Sequence, residues 1–257
     1  GRLMGRVGFA RTVAIQRLRS HLARDPEFVA MFLDEARMAA RIRHPNVVPT
    51  LDIVVHEGEL LLVMEYIQGE SLGRLTKTAQ QKGGIPPAVA SAICVGLLEG
   101  LHAAHEATSD RGEALGLVHR DVSPQNVIVG EDGLAHVLDF GVAKAAGRLQ
   151  ETGNGQVKGK FAYMSPEQLR NEPVDRRTDV FAAAVVLWET LTGTRLFRAD
   201  DPASVVYQVV HAAIPPPSSL VPALSPEVDA VVMKGLERDA GKRFQTAREM
   251  ALALEKA

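Results

Sequence analysis

The chain has 257 residues, 46% hydrophobic and 23% charged, with a formal net charge of −2. That is an ordinary globular balance with length enough for a sizeable core. It argues against nucleic acid or an anionic membrane surface as the main partner, because the basic residues Arg17, Arg19, Arg41 and Arg43 are interleaved with acidic ones. The lone Cys94 rules out an internal disulfide and fits a reducing cytoplasm, with the thiol expected to pack on an apolar helix face. The longest apolar run is read at residues 181–188, far short of a membrane span, and no secretory leader is read. The chain opens at Gly1, so a longer, membrane-anchored parent is compatible with it.

In chain order, residues 12–18 (TVAIQRL), 50–55 and 60–66 read as strands, with Gly58 as the turn between the last two. Between the first two lies a helical stretch, residues 25–42. Phe28, Phe32, Ala36, Ala39 and Ala40 recur there at helical spacing behind Pro26, and His44-Pro45-Asn46 ends it. From Ser71 the pattern turns helical. Residues 88–107 set Ile93, Leu97 and Leu101 on one stripe, and 178–191 is nearly continuous apolar, which predicts a helix buried on all sides. Short strand-like pieces at 127–129 and 135–138 and two more helices, 226–236 and 245–255, complete the reading; the prolines at 215–217 form a stiff connector. The order implies one domain, 1–257, divided into a strand-rich part, 1–66, and a larger helical part, 67–257. A ligand cleft belongs between them, and the short connection at 65–70 lets the parts close.

The densest chemistry lies at HRDVSPQN, residues 119–126, followed thirteen residues after Asn126 by DFG, residues 139–141. Phosphoryl transfer needs a carboxylate beside the attacking hydroxyl and hard oxygen ligands that hold Mg²⁺ against the phosphates. Asp121 can supply the first, and Asn126 and Asp139 the second. A polar turn explains either motif alone but not both at this separation. His102 and His105, three apart on a helix, have metal-ligand spacing, but no nearby carboxylate or cysteine completes a set. His119 is expected to pack and hydrogen-bond rather than act as a base.

These motifs resemble the protein-kinase signature set, and especially the bacterial eukaryotic-like (Hanks-type) serine/threonine kinases of myxobacterial kind, over nearly the whole chain. VAIQ, residues 13–16, resembles the third-strand VAIK motif, and Glu35 falls where the family has its helix-C glutamate. VMEYIQG, residues 63–69, looks like the hinge; the likeness makes Met64 the gatekeeper and gives the adenine contacts to the backbone of Glu65 and Ile67. MSPEQ, residues 164–168, resembles the APE motif; Asp179 matches the residue that anchors the catalytic loop, and Arg243 the arginine that pairs with the APE glutamate, here Glu167. Phe140 and Gly141 complete DFG, and Arg120 beside Asp121 could receive a phosphate on Thr152 and order the intervening segment. The resemblance implies an α+β, bilobal protein-kinase-like fold with a small β-rich N-lobe and a mainly helical C-lobe. It further implies ATP and Mg²⁺ as cofactors and a protein substrate with a Ser or Thr acceptor. No nucleic acid and no membrane contact from this segment are expected.

Three departures bear on activity. Gln16 stands where the family has lysine, and a neutral amide can hydrogen-bond Glu35 but cannot offset phosphate charge. Arg17 points to the opposite face of the strand and is a poor substitute. Gly1, Gly5 and Gly8 have the wrong spacing for the glycine-rich loop, so by the family's layout the chain begins inside the second strand. Ser123 takes the position where most relatives have lysine, and Lys160 stands in the activation segment where many carry threonine. We read the last pair as an exchange that keeps one cation and one hydroxyl at the site; a surface lysine is the plainer alternative. A kinase with weakened transfer and a pseudokinase serving as a binding or scaffolding module are the two functional readings.

Overall fold

Four strands make the first sheet, and burial in it is concentrated on one of them. The computed structural model describes residues 1–4, 10–17, 26–56, 59–138, 140 and 159–257, the side chains of Pro26, Phe28 and Glu35 excepted. Strands β1 (Arg2–Met4), β2 (Ala10–Arg17), β3 (Thr50–His56) and β4 (Glu59–Glu65) pair antiparallel in the order β1-β2-β4-β3. Central β4 is the most buried, through Leu60, Leu62, Val63 and Met64. The register sets Gln16 opposite Leu62 and Ala14 opposite Met64. Helix α1 (Pro26–Ala39), with proline at its first position, lays Phe32 and Ala36 on this sheet. Gly58 lies outside the described residues.

After α1 the chain is stitched to the second sheet, β5 (Gly69–Ser71), β6 (Val127–Gly130) and β7 (Ala135–Val137), in the order β5-β6-β7. Val48 N donates to Val137 O at 3.0 Å, Val137 N to Asn46 O at 2.9 Å, and Asn46 Nδ2 to Ala135 O at 2.8 Å. The sequence pattern does not flag β5 because it has no apolar alternation. A glycine is required there: a Cβ on Gly69 would stand 2.2 Å from Val129 O.

The helical part is punctuated by caps. Ser71 opens α2 (Leu72–Gln80), Asp175 opens α5 (Arg176–Thr192), Asp201 opens α6 (Pro202–His211), Ser225 opens α7 (Pro226–Gly235) and Thr246 opens α8 (Ala247–Glu255). Each cap oxygen accepts from a first-turn N–H. Gly193, at φ 69°, ends α5 in the left-handed region. A short α4 (Pro166–Leu169) precedes α5. As expected for its composition, α5 is buried from Thr178 through Leu191, and α3 (Pro87–His105) crosses it. Among the described residues α3 is long and apolar enough to cross a membrane by length and composition. Its Ile93, Leu97, Leu98 and Leu101 are instead buried in the protein core, with Cys94 among them. Burial pushes the Cys94 thiol up to about 12, so it packs as an inert apolar group.

Candidate functional site

The site is built outward from one buried carboxylate. Asp179 sits in the first turn of α5, where the helix N-terminus favours negative charge. Its Oδ1 accepts from Arg120 N at 2.8 Å; its Oδ2 accepts from His119 N at 2.8 Å and meets His105 Nε2 at 2.7 Å. Burial alone would raise this carboxyl, but the bond and charge of His105, with help from His119 and Arg120, hold it below the usual carboxylate range. The three contacts fix Arg120 at φ 67°, a left-handed backbone that a non-glycine residue keeps only when its surroundings impose it. His119 is fully buried: Nε2 donates to Leu138 O at 2.7 Å, Nδ1 accepts from Asp121 N at 3.3 Å, and the ring packs edge-to-face with Phe140, their centroids 4.7 Å apart.

Held this way, the loop presents Asp121, whose side chain is 23% exposed. Asn126 closes a 3₁₀ turn (Pro124–Asn126) and donates from Nδ2 to Asp121 O at 2.8 Å and to its Oδ2 at 3.4 Å. Its Oδ1 is left as a hard-oxygen donor, and Leu138 N donates to Asn126 O at 2.9 Å. Ser123 lies between them in extended backbone, its carbonyl accepting from Asn126 N. Lys160, which precedes the 3₁₀ turn Phe161–Tyr163, reaches Asp121 Oδ2 with its Nζ at 2.9 Å. Two residues 39 apart in sequence thus form one charge pair at the loop.

Downstream, Arg243 has a fully buried side chain and donates to Glu167 Oε1 at 2.7 Å and Oε2 at 2.8 Å. Thr178 Oγ1 adds a third bond to Glu167 at 2.9 Å. Gln16 is half-buried on β2, and Met64 is buried on β4, lining with Phe140, Ala36 and Leu62 a narrow gap under α1. Glu65 ends β4, its side chain accepting from Arg11 and its N–H donating to Pro49 O; Ile67 follows on the way to β5. Asp139, Gly141 and Thr152, and the Glu35 side chain, lie outside the described residues.

Two buried contacts are among those that escape sequence reasoning. His105, whose metal-ligand spacing from His102 no nearby ligand in the sequence completes, serves Asp179; among the described residues no group of three or more His, Cys, Asp or Glu side chains could hold a metal ion. Glu189, buried in α5, accepts from Tyr163 Oη at 2.7 Å and from Leu196 N at 3.1 Å, and burial raises its carboxyl. An acidic residue inside an apolar run is the signal available for it.

The helix-anchored loop, its paired carboxylate and the bilobal α+β architecture define a protein kinase domain: that family matches residues 7–253, and the chain belongs to it. It is 41% identical over 255 residues to the tyrosine-protein kinase MasK of Myxococcus xanthus, covering 99% of this chain and 40% of that protein. It is 39% identical over 249 residues to the serine/threonine-protein kinase PknB of Mycolicibacterium smegmatis, covering 93% and 38%. The crystal structure of the Mycobacterium tuberculosis PknI kinase domain aligns with a TM-score of 0.71 at 25% identity, covering 95% of this chain and 85% of that one. The chain spans about two fifths of the length of these curated relatives. Protein kinases generally use ATP and Mg²⁺.

Proposed function

We propose that the chain transfers the γ-phosphate of ATP to Ser or Thr hydroxyls of a protein substrate. The observation that carries this reading is the grouping of Asp121 with Lys160 at 2.9 Å and Asn126 at 3.4 Å on a loop anchored by Asp179. In this reading Asp121 orients the acceptor hydroxyl and takes its proton. Lys160 pairs with Asp121 until the acceptor arrives and then offsets charge on the transferring phosphoryl, with the Ser123 hydroxyl beside it. The donor set fits a hard cation, with the Asn126 amide oxygen and the Asp139 carboxylate as its ligands. When bound, Mg²⁺ supplies charge neutralisation at the phosphates. The backbone of Glu65 and Ile67 holds adenine with Met64 behind it, and the lobes divide at residues 66 and 67. Glu35 positions Gln16, whose neutral amide leaves the phosphates under-neutralised, so transfer is slow. A phosphate on Thr152 received by Arg120 would order the activation segment.

The test is phosphate incorporation from ATP with Mg²⁺ into a protein substrate, followed by phosphoamino-acid analysis. The expected product is phosphoserine or phosphothreonine. Asp121→Asn lowers incorporation by about 100-fold or more, and Gln16→Lys raises kcat by about 10- to 100-fold. Phosphotyrosine as the main product would transfer the reading to the acceptor in MasK's name. No transfer by either the chain or Gln16→Lys, with retained nucleotide binding, would favour a binding module.

A further inference from the structure

Gln168 belongs to no part of the machinery above, yet it touches that machinery directly. Its side-chain oxygen closes the capping box of α4, accepting from Ser165 N at 3.0 Å and from Ser165 Oγ at 3.3 Å, while Ser165 Oγ accepts from Gln168 N at 3.4 Å. The other end of the same amide, Nε2, donates to Arg120 O at 3.0 Å, 48 residues away. That carbonyl belongs to the peptide joining Arg120 to Asp121, on the far side of the left-handed Arg120. The N–H of that peptide, Asp121 N, reaches His119 Nδ1 at 3.3 Å. One peptide plane, the one from which the Asp121 side chain departs, is thus held at its carbonyl by Gln168 and at its N–H by His119. Arg120's own N–H is held by Asp179 at 2.8 Å.

We infer that Gln168 is a positioning residue: it fixes the Arg120–Asp121 peptide and so aims the Asp121 carboxylate. The inference rests on the kinase reading above and deepens it. The segment that supplies Lys160 to the Asp121 side chain also supplies Gln168 to the Arg120 carbonyl just before it, at 2.9 Å and 3.0 Å. Seating of residues 159–169 against the loop is therefore registered twice, once by charge and once by a neutral hydrogen bond. Only a carboxamide serves both ends: an acceptor is needed for the box and a donor for the carbonyl. A carboxylate at this position keeps the box and sets oxygen against oxygen at Arg120; a thioether keeps the length and loses both bonds.

The test compares Gln168→Glu and Gln168→Met with the unaltered full chain. Amide hydrogen exchange at Asp121 and Asn126 is expected to quicken by about 5- to 10-fold in both variants, with amides in the middle of α5 unchanged. The kcat for peptide phosphorylation should fall by about 10-fold while the KM for ATP stays within about twofold. Once protonated, the carboxyl introduced by Gln168→Glu can donate to the carbonyl again. The ratio of Gln168→Glu activity to that of the unaltered chain should therefore climb as pH falls from about 8 to about 5.5, whereas the Gln168→Met ratio stays flat. Wild-type exchange at Asp121 in Gln168→Glu overturns the inference, and so does quickening spread evenly through α5. If the unaltered chain transfers no phosphate, the kinase reading fails by itself, and the exchange comparison still decides the role of Gln168.

Discussion

Lys160 and Asp121 keep 40% and 23% of their side chains exposed, so their ion pair adds little to stability and its consequence falls on the reaction. The family's usual lysine two residues past the aspartate is replaced by Ser123 here, and the cation that meets Asp121 Oδ2 comes from another segment. If the two positions have exchanged roles, removing the ammonium should hurt and returning it from the loop should help. We expect Lys160→Met to lower kcat by about 10- to 100-fold. The double variant Lys160→Met/Ser123→Lys should recover to within about 10-fold of the unaltered chain, with thermal midpoints of both moved by less than about 2 °C. Steady-state kinetics and a melting curve on the three proteins are sufficient. A double variant no better than the single one would mean that Lys160 does something the loop lysine cannot. The Lys160–Asp121 contact could be anticipated from sequence because both residues sit inside motifs with fixed spacing. The Gln168 bond could not, since nothing local distinguishes that glutamine from a helix-capping one.

Helix α5 joins these residues to the core. Its central residues are apolar on every face, which is why composition alone predicts it, and its burial makes Asp179 a rigid post. By contrast α2 carries few apolar residues, and α6, though it holds Val205, Val206, Val209 and Val210, is too short for periodicity to separate helix from strand, so their caps, Ser71 and Asp201, hold the information. The His105–Asp179 contact is also illegible: it spans 74 residues and depends on α3 crossing α5. Asp179 offers two acceptor oxygens to three donors, Arg120 N, His119 N and His105 Nε2. In Asp179→Asn, one oxygen becomes an amide NH₂ that faces a donor. That variant should lose about 1–3 kcal/mol in urea unfolding. Exchange at the Arg120 amide should quicken with it, because the left-handed conformation loses part of what imposes it. A stability loss with Arg120 exchange unchanged would show that Asp179 supports α5 alone.

At the scale of the whole molecule, the C-terminal region converges on Arg243. Besides Glu167, it donates to the carbonyls of Glu237, Arg177 and Arg238, and it lies 5.0 Å over the Phe181 ring. This one guanidinium joins the end of the activation segment, the start of α5 and the turn before α8. Burial alone would raise Glu167, but the hydrogen bonds and charge of Arg243, with the Thr178 hydroxyl, hold it below its ordinary value of 4.5. A carboxyl depressed in the folded state stabilises the protein fully above its unfolded pKa, and that contribution is lost as pH falls through the folded pKa. Glu167→Gln leaves Arg243 buried beside a neutral partner, so near pH 7 it should cost about 3–5 kcal/mol. Below its folded pKa the native Glu167 is itself protonated and resembles glutamine. The stability gap between the two proteins should therefore be full at neutral pH and shrink steadily through the acid range below about pH 4.5. Urea unfolding of both proteins at a series of pH values measures it. A gap that stays constant with pH would mean that the glutamine substitution acts through shape rather than charge, and that Arg243 is held by its carbonyl partners without needing the carboxylate.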